Sequence, residues 1–158
     1  MFGNIGKLIV SLAACQVAGI VGGLFTATSI GSWYAGLNKP SFNPPNWVFG
    51  PVWITLYVLM GIAMYLVWTG DFPGKVKQTA MIFFAVQLLL NMLWTFFFFY
   101  LQKPFLGLIE ILILLVFIIL TIWKFYSLRP AAAYLLVPYL LWVGFASVLT
   151  FSLWNLNR

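Results

Sequence analysis

Apolar residues fill five long segments of this chain, and short connections hold most of its polar residues. Each segment reaches the roughly 20 residues that an α-helix needs to cross about 30 Å of hydrocarbon. The segments cover about residues 7–28, 46–69, 78–101, 105–126 and 131–156. The first lacks a small-residue cleavage site, so we expect a retained helix. The pattern predicts an all-α, polytopic membrane protein, with residues 1–158 forming a single bundle of five transmembrane helices.

The connections and prolines predict how these helices are arranged. Gln102, Lys103 and Pro104 alone separate the third and fourth segments, which should therefore be antiparallel neighbours. Pro51 falls in the first turns of the second segment, where a missing N–H costs least. Pro138 lies inside the fifth segment and predicts a kink there. In the first segment, small residues recur at helical spacing, which favours close packing within the chain or self-association.

Composition and charge narrow the class of protein. The chain is 64% hydrophobic and 6% charged, which is typical of a protein that has the bilayer as its solvent. Its net charge of +6 comes from dispersed residues at segment ends, and we expect no nucleic-acid partner. One end collects Lys7, Lys75, Lys77, Lys124 and Arg129, and the other collects Lys39, Lys103 and Arg158. The positive-inside rule predicts a cytoplasmic N-terminus, with a bacterial cell membrane as the expected location.

The scarcity of ionisable groups excludes several kinds of site. The chain has no His and one Cys, Cys15, so we expect neither a zinc cluster nor an axial His for haem, and no metal site. Asp71 and Glu110 are the only acids, which argues against a paired-carboxylate mechanism. Glu110 falls within the fourth segment. Two interpretations stay open for it: a protonated or water-bridged structural group, and a proton or ion relay.

The stretch from Trp33 to Trp53 is the most unusual part of the chain. It reads WYAGLNKPSFNPPNWVFGPVW and holds three Trp, four Pro and three Asn between two apolar segments. Proline fixes φ and removes a donor, so this connection is restricted to a few extended shapes. Large amphipathic rings at such a position either anchor the chain at the membrane surface or line a ligand site. Lys39 in this loop would pair with a ligand carboxylate or simply snorkel.

Helical spacing places aromatic and amide side chains on shared faces of three segments. These sets are Trp53 with Tyr57, Gln87 with Asn91, Trp94 and Phe98, and Tyr139 with Trp142 and Ala146. Amides inside hydrocarbon need partners, which are either neighbouring helices or a ligand. Together the faces predict an aromatic pocket with a few neutral polar groups, capped by the Pro-rich loop. Such a pocket suits a flat, hydrophobic ligand and lacks the groups of an acid–base enzyme.

Three motifs occur in order along the chain. They are WY-x-x-L-x-KP-x-x-x-PP-x-W-x-FGPVW-x-x-LY-x-LMG, QL-x-LN-x-x-W and PY-x-x-W-x-x-FA. These motifs resemble the tryptophan-rich sensory protein / translocator protein family (TspO/MBR, the peripheral benzodiazepine receptor family). The longest block runs from Trp33 to Gly61, and the resemblance covers nearly the whole chain. Two departures are Phe42, where many members have Trp, and the missing Tyr of the sterol-recognition pattern between Val148 and Arg158.

The resemblance implies a five-helix bundle, commonly a homodimer in membrane lipid, whose first loop closes a pocket. Porphyrins such as protoporphyrin IX and haem are its implied ligands, and no cofactor is required. Carried over by position, the pocket residues are Tyr34, Pro44, Trp53, Tyr57, Asn91, Trp94, Phe97, Trp142 and Ala146. The lid residues are Trp33, Lys39, Pro40, Pro45 and Trp47.

The leading hypothesis from the sequence is a membrane receptor or sensor that binds tetrapyrroles and regulates tetrapyrrole or stress responses. Two alternatives stay open. One is an enzyme of light- and oxygen-dependent porphyrin degradation, because Trp53 and Trp142 match the two tryptophans that the family links to that reaction. The other is a porphyrin or lipid transporter, although the sequence offers no evident coupling-ion site.

Overall fold

The computed structural model describes residues 3–158, which form a bundle of helices. In chain order these are α1 (Asn4–Ala27), α2 (Trp33–Gly36), α3 (Asn46–Thr69), α4 (Gly74–Thr95), a π-helical turn (Phe96–Tyr100), α5 (Pro104–Leu128), α6 (Pro130–Leu135) and α7 (Val137–Leu156). Five stretches of this region are long and apolar enough to cross a membrane: α1, α3, α4 with the π-helical turn, α5, and α6 with α7. The predicted all-α, five-span architecture is confirmed.

The third span begins at Gly74, earlier than the predicted position 78. Lys75 and Lys77 lie in its first turn, where positive charge opposes the helix dipole, so the sequence carries no helix-start signal there. The ammonium group of Lys77 donates a hydrogen bond of 3.0 Å to the carbonyl of Gly70. This contact holds the Lys77 charge against the connection at residues 70–73, and the hydrogen bond offsets part of its unfavourable interaction with the helix dipole.

The fifth span is broken where Pro138 predicted a kink. Helix α6 ends at Leu135 and α7 begins at Val137, so that Pro138 lies in the first turn of α7. In that turn the missing proline N–H has no helical partner to lose. The N–H of Leu136 instead closes the last turn of α6 with a 3.0 Å bond to the carbonyl of Ala133.

The spans form a closed ring in which α1 lies between α3 and α4, α5 lies between α4 and the fifth span, and α6 contacts α3. Helix α5 packs against α4 across the short connection, as predicted for antiparallel neighbours. Glycines permit the closest approaches. A Cβ at Gly61 would lie 2.9 Å from the backbone of Leu12, and one at Gly19 would lie 2.6 Å from the ring of Tyr57. Helices α1 and α3 are thus in contact in the middle of the bundle and in the half farther from the Trp33–Trp53 loop.

Candidate ligand-binding cavity

A cavity of about 390 Å³ lies in the half of the bundle nearest the Trp33–Trp53 loop. Helices α1, α3, α4 and α7 supply its walls, together with the π-helical turn. Its volume falls within the ~300–1,000 Å³ range of small-molecule sites. Seven of the nine predicted pocket residues line it: Tyr34, Trp53, Tyr57, Asn91, Trp94, Trp142 and Ala146. The structure therefore brings together residues from four segments that the sequence separates by more than a hundred positions.

Nine of the residues that line the cavity are aromatic. Trp53 stacks on Tyr57 at 5.5 Å between ring centroids, as their i, i+4 spacing predicted. Trp142 meets Phe49 edge-on at 6.1 Å and so joins the walls from α7 and α3. Phe49 was missed in the sequence, although it precedes Trp53 by four residues and therefore shares its face. Phe145 was missed too, and its spacing of three from Trp142 was the available signal.

Asn91 forms the polar floor of the cavity and connects three helices. Its Oδ1 accepts a hydrogen bond from the hydroxyl of Tyr57 on α3. Its Nδ2 donates to the hydroxyl of Tyr139 on α7 over 3.0 Å. Asn91 and Tyr139 are 1% and 0% exposed. The interhelical-bond interpretation of this amide is therefore correct, and the same amide also faces the cavity.

Gln87 and Glu110, the other intramembrane polar residues singled out by the sequence, do not line the cavity. Both are buried, and their side-chain polar atoms have no hydrogen-bond partner among residues 3–158. Gln87 lies on the same helical face as Asn91, so spacing alone did not distinguish the hydrogen-bonded amide from the one without a partner. Neither residue has a geometry that supports a role in this site.

Tyr34 closes the loop end of the cavity. Its side chain is 2% exposed, and its hydroxyl donates a 2.7 Å hydrogen bond to Oδ1 of Asn43 in the same loop. Burial raises the pKa of the Tyr34 hydroxyl, and the bond to Asn43 opposes this effect in part. The hydroxyl of Ser29, just before the loop, donates to the carbonyl of Phe99 over 2.8 Å. The first bond holds the Trp33–Trp53 loop in its own conformation, and the second holds the start of the loop against the third span.

Asn157, next to the end of α7, clamps the loop from the far end of the chain. Its Nδ2 donates to the carbonyl of Asn38, and its Oδ1 accepts from the N–H of Asn38, both over 2.9 Å. Nδ2 also donates to the carbonyl of Leu153 over 2.8 Å, which holds the clamp on α7. No local pattern predicts this pair, because 119 residues separate the partners.

Lys39, a predicted lid residue, is engaged within the loop. Its ammonium group donates to the carbonyls of Ala35 and Leu37 over 3.0 and 3.3 Å. It also lies 5.0 Å from the centre of the Tyr34 ring, within cation–π range. These contacts tie down the loop, and Lys39 is not among the residues that line the cavity.

The other predicted lid residues also lie outside the cavity wall. Trp33 is half-buried and meets Phe98 edge-on at 5.6 Å, whereas Trp47 is 75% exposed, as a membrane-surface anchor would be. Pro40 shapes a turn, since its carbonyl accepts from the N–H of Asn43 over 3.0 Å. Pro45 directly precedes α3. The segment is thus a braced cap, and of its predicted residues only Tyr34 and Trp53 reach the cavity.

Two predicted pocket residues are not part of the wall. The carbonyl of Pro44 accepts a 3.0 Å bond from Nδ2 of Asn43, and the residue stays within the loop. Phe97, which was carried over from the family motif, lies in the π-helical turn and packs beside Phe96. Phe98, which helical spacing places on the face of Asn91 and Trp94, lines the cavity, as does Phe99. The π-helical turn has no sequence signature among five consecutive aromatic residues.

Comparison with known proteins identifies the family. The family model described as "TspO/MBR family" matches residues 11–155. The "Tryptophan-rich protein TspO" of Archaeoglobus fulgidus is 47% identical over 156 residues, covering 98% of this chain and 99% of the relative. The "Protein CrtK" of Rhodobacter capsulatus is 38% identical over 94% of this chain and 91% of its own length. The human "Translocator protein" is 41% identical over 80% of this chain and 75% of its own length. This integral membrane protein belongs to the TspO/MBR family.

Proposed function

We propose that this protein is a membrane receptor that binds porphyrins and similar flat, hydrophobic molecules in its aromatic cavity, and that it senses tetrapyrroles in this way. The observation that carries the proposal is the convergence of Trp53, Asn91 and Trp142 on one cavity of about 390 Å³. Stacked and edge-on indoles bind flat π-systems, and the amide of Asn91 holds two tyrosines of the bundle in place beside them.

The chemistry of the wall favours a metal-free porphyrin over haem as the ligand to test. No His or Cys side chain, the usual donors to haem iron, is among the residues that line the cavity. Lys, Arg, Asp and Glu are also absent from that lining. A protoporphyrin would therefore place its ring system against the indoles and keep its carboxylates at the edge of the cavity, because burying unpaired charge is costly.

Titration with protoporphyrin IX tests the proposal. We expect saturable quenching of tryptophan fluorescence in the protein reconstituted in nanodiscs. Trp53→Phe and Asn91→Ala should each weaken the affinity by roughly three- to tenfold, the effect of losing about 0.5–1.5 kcal/mol of stacking or hydrogen bonding. Trp123→Phe is the matched control, since Trp123 is 63% exposed on α5 and does not line the cavity. Equal affinities in the wild type, Trp53→Phe and Asn91→Ala would refute the site.

A second candidate function is oxidative porphyrin degradation with dioxygen as the oxidant under light. It is favoured by one observation, namely that Trp53 and Trp142 both line the cavity, because indoles beside an excited porphyrin are chemically reasonable electron donors. The test is spectral conversion of bound protoporphyrin IX under light and oxygen. Conversion should be lost in Trp142→Phe while quenching by the ligand persists. Equal bleaching of free porphyrin in detergent would defeat this candidate.

A further inference from the structure

We propose that ligands enter and leave the cavity sideways from the membrane, through an opening between the loop-end halves of α1 and α3. We call this opening the α1–α3 portal and define its rim by Ile20, Gly23, Gly50 and Ile54. The inference rests on the proposed function for the identity of the ligand, but the portal itself is a feature of the helix packing. It follows from comparing the loop end of the cavity with three of the seams between its helices.

The loop end is closed by the braced cap described above. Tyr34 is buried under the cap, and its hydroxyl is bonded to Asn43. Asn157 holds Asn38 by two hydrogen bonds, which fix the loop to the end of α7. Opening this end requires breaking several polar contacts together, so the cap is a poor route for frequent exchange.

Two of the seams between helices are closed by side chains. At the α1–α4 seam, a Cβ at Gly22 would lie 3.3 Å from Oγ1 of Thr95, so the two helices are in contact there. Nearer the loop, Phe25 of α1 meets Phe96 of the third span at 5.4 Å. At the α3–α7 seam, Phe49 and Trp142 pair edge-on and fill the gap.

The α1–α3 seam is different. Gly23 on α1 and Gly50 on α3 both line the cavity, and a Cβ at either position would meet no atom within 4 Å. Ile20 and Ile54 line the cavity as well, yet they are 62% and 60% exposed on the outside of the bundle. A residue that faces both the cavity and the surroundings marks an edge of an opening. The surroundings at this depth of a membrane-spanning bundle are lipid chains.

The portal has a defined lower edge. There Nε2 of Gln16 on α1 donates a 3.3 Å hydrogen bond to the carbonyl of Ile54 on α3. Three residues further along the same face of α1, Gly19 lies directly against the ring of Tyr57 on α3. Below this level Leu12 and Gly61 keep the helices in contact. Helices α1 and α3 therefore separate only in the half of the bundle that holds the cavity, and the Gln16 bond joins them at the point of separation.

Ligand kinetics in nanodiscs test the portal. Protoporphyrin IX is added to the membrane, and quenching is followed by stopped flow. Gly23→Leu combined with Gly50→Leu should lower both the association and the dissociation rate constants by about tenfold, which corresponds to ~1.4 kcal/mol on the barrier. Gly144→Leu is the matched control, a glycine of a spanning helix that has open space around it and does not line the cavity. Dissociation as fast in the double variant as in the wild type would overturn the portal.

Removing the hydrogen bond between Gln16 and Ile54 should speed ligand exchange, which is the opposite of the effect expected for the double leucine variant. Gln16→Leu should raise both rate constants by roughly two- to tenfold, the range that one ordinary hydrogen bond is worth. Unchanged or slower exchange in this variant would contradict the assigned role of Gln16. The two perturbations therefore predict opposite signs, which a general loss of stability does not produce.

A measurement without ligand separates this inference from the proposed function. Lipids brominated on their acyl chains quench tryptophans that the chains reach. The part of the fluorescence contributed by Trp53, obtained as the difference between wild type and Trp53→Phe, should be quenched by these lipids. It should be protected in the double leucine variant. If the wild type binds no protoporphyrin IX, the proposed function fails, but this quenching still supports the portal. Trp53 fluorescence that brominated lipids leave unchanged would overturn the portal regardless of any ligand.

Discussion

Replacing Asn91 by leucine should destabilise the bundle through the tyrosines that it leaves without a partner. In the wild type the amide joins Tyr57 on α3 to Tyr139 on α7. Leucine has a similar size, so the substitution removes the two bonds without opening a large cavity. Hydrogen bonds between membrane helices average ~0.6 kcal/mol and reach ~1.7 kcal/mol. An unsatisfied buried hydroxyl costs about 1–3 kcal/mol.

Tyr57 and Tyr139 are 5% and 0% exposed, so little of either side chain is accessible to water. We therefore expect Asn91→Leu to lower the free energy of unfolding by about 1–3 kcal/mol. The triple variant with Tyr57→Phe and Tyr139→Phe should recover most of this loss, because it removes the stranded hydroxyls together with the amide. Gln87→Leu is the matched control, since the amide of Gln87 has no partner among the described residues, and its stability should stay at or above that of the wild type.

Equilibrium unfolding in mixed micelles, followed by circular dichroism, measures these differences. The four proteins are compared at one detergent composition, and each transition is also followed by tryptophan fluorescence to check for two-state behaviour. Two results would refute the reasoning: an Asn91→Leu variant as stable as the wild type, or a triple variant no more stable than the single one. A loss in Gln87→Leu equal to that in Asn91→Leu would show that any buried amide on this stripe matters equally.

Three further predictions follow from the contacts of the cavity and its cap. Gly19→Ala should cost about 1–3 kcal/mol of stability, because its Cβ would lie 2.6 Å from the Tyr57 ring, whereas Gly23→Ala, with open space, should be neutral or stabilising in the same unfolding assay. Burial raises the pKa of Tyr34 in the folded protein, so its protonated hydroxyl contributes stability below its ordinary pKa near 10, and that contribution should be lost as the pH rises through the raised pKa. Thermal melts of the wild type should therefore fall more steeply with rising pH than those of Tyr34→Phe. Asn157→Ala should speed proteolytic cleavage of the cap severalfold without changing the helix content, and an unchanged cleavage rate would contradict the clamp.

Seven of the nine predicted pocket residues line the cavity, and helical periodicity explains several of them, because residues spaced three or four apart lie on one face of a helix. Trp53 with Tyr57, and Trp142 with Ala146, each share a face, and a bundle of spans buries its polar and aromatic faces inward. Periodicity also placed Phe98 on the face of Asn91 and Trp94, and Phe98 lines the cavity. Phe97, which was carried over from the family motif, does not line it, since local backbone geometry and not residue type decides which of five consecutive aromatic rings faces inward.

Long-range polar partners were beyond the sequence for a different reason. Asn157 and Asn38 are an ordinary pair of amides at the ends of separate elements, and neither position stands out by composition. Gln87 and Asn91 look alike in the pattern, but the surrounding helices supply partners to one of them only. Partner identity depends on three-dimensional placement, which residue spacing along a single helix does not contain.

The amide and hydroxyl groups of Asn91, Thr26 and Thr95 in the cavity wall are engaged with the protein, whereas the indole N–H of Trp94 has no partner among the described residues. Asn91 accepts from one tyrosine and donates to another, while the hydroxyls of Thr26 and Thr95 donate to carbonyls of their own helices over 3.0 and 2.7 Å. A ligand that enters through the α1–α3 portal therefore meets mainly aromatic faces, with the indole N–H of Trp94 as an unpaired polar group. Stacking tolerates variation in ring substituents, whereas polar readout rejects a ligand that leaves a buried group unpaired. Selectivity in this cavity should therefore come from flatness and size, and a series of flat ligands should differ in affinity far less than a set that differs in shape.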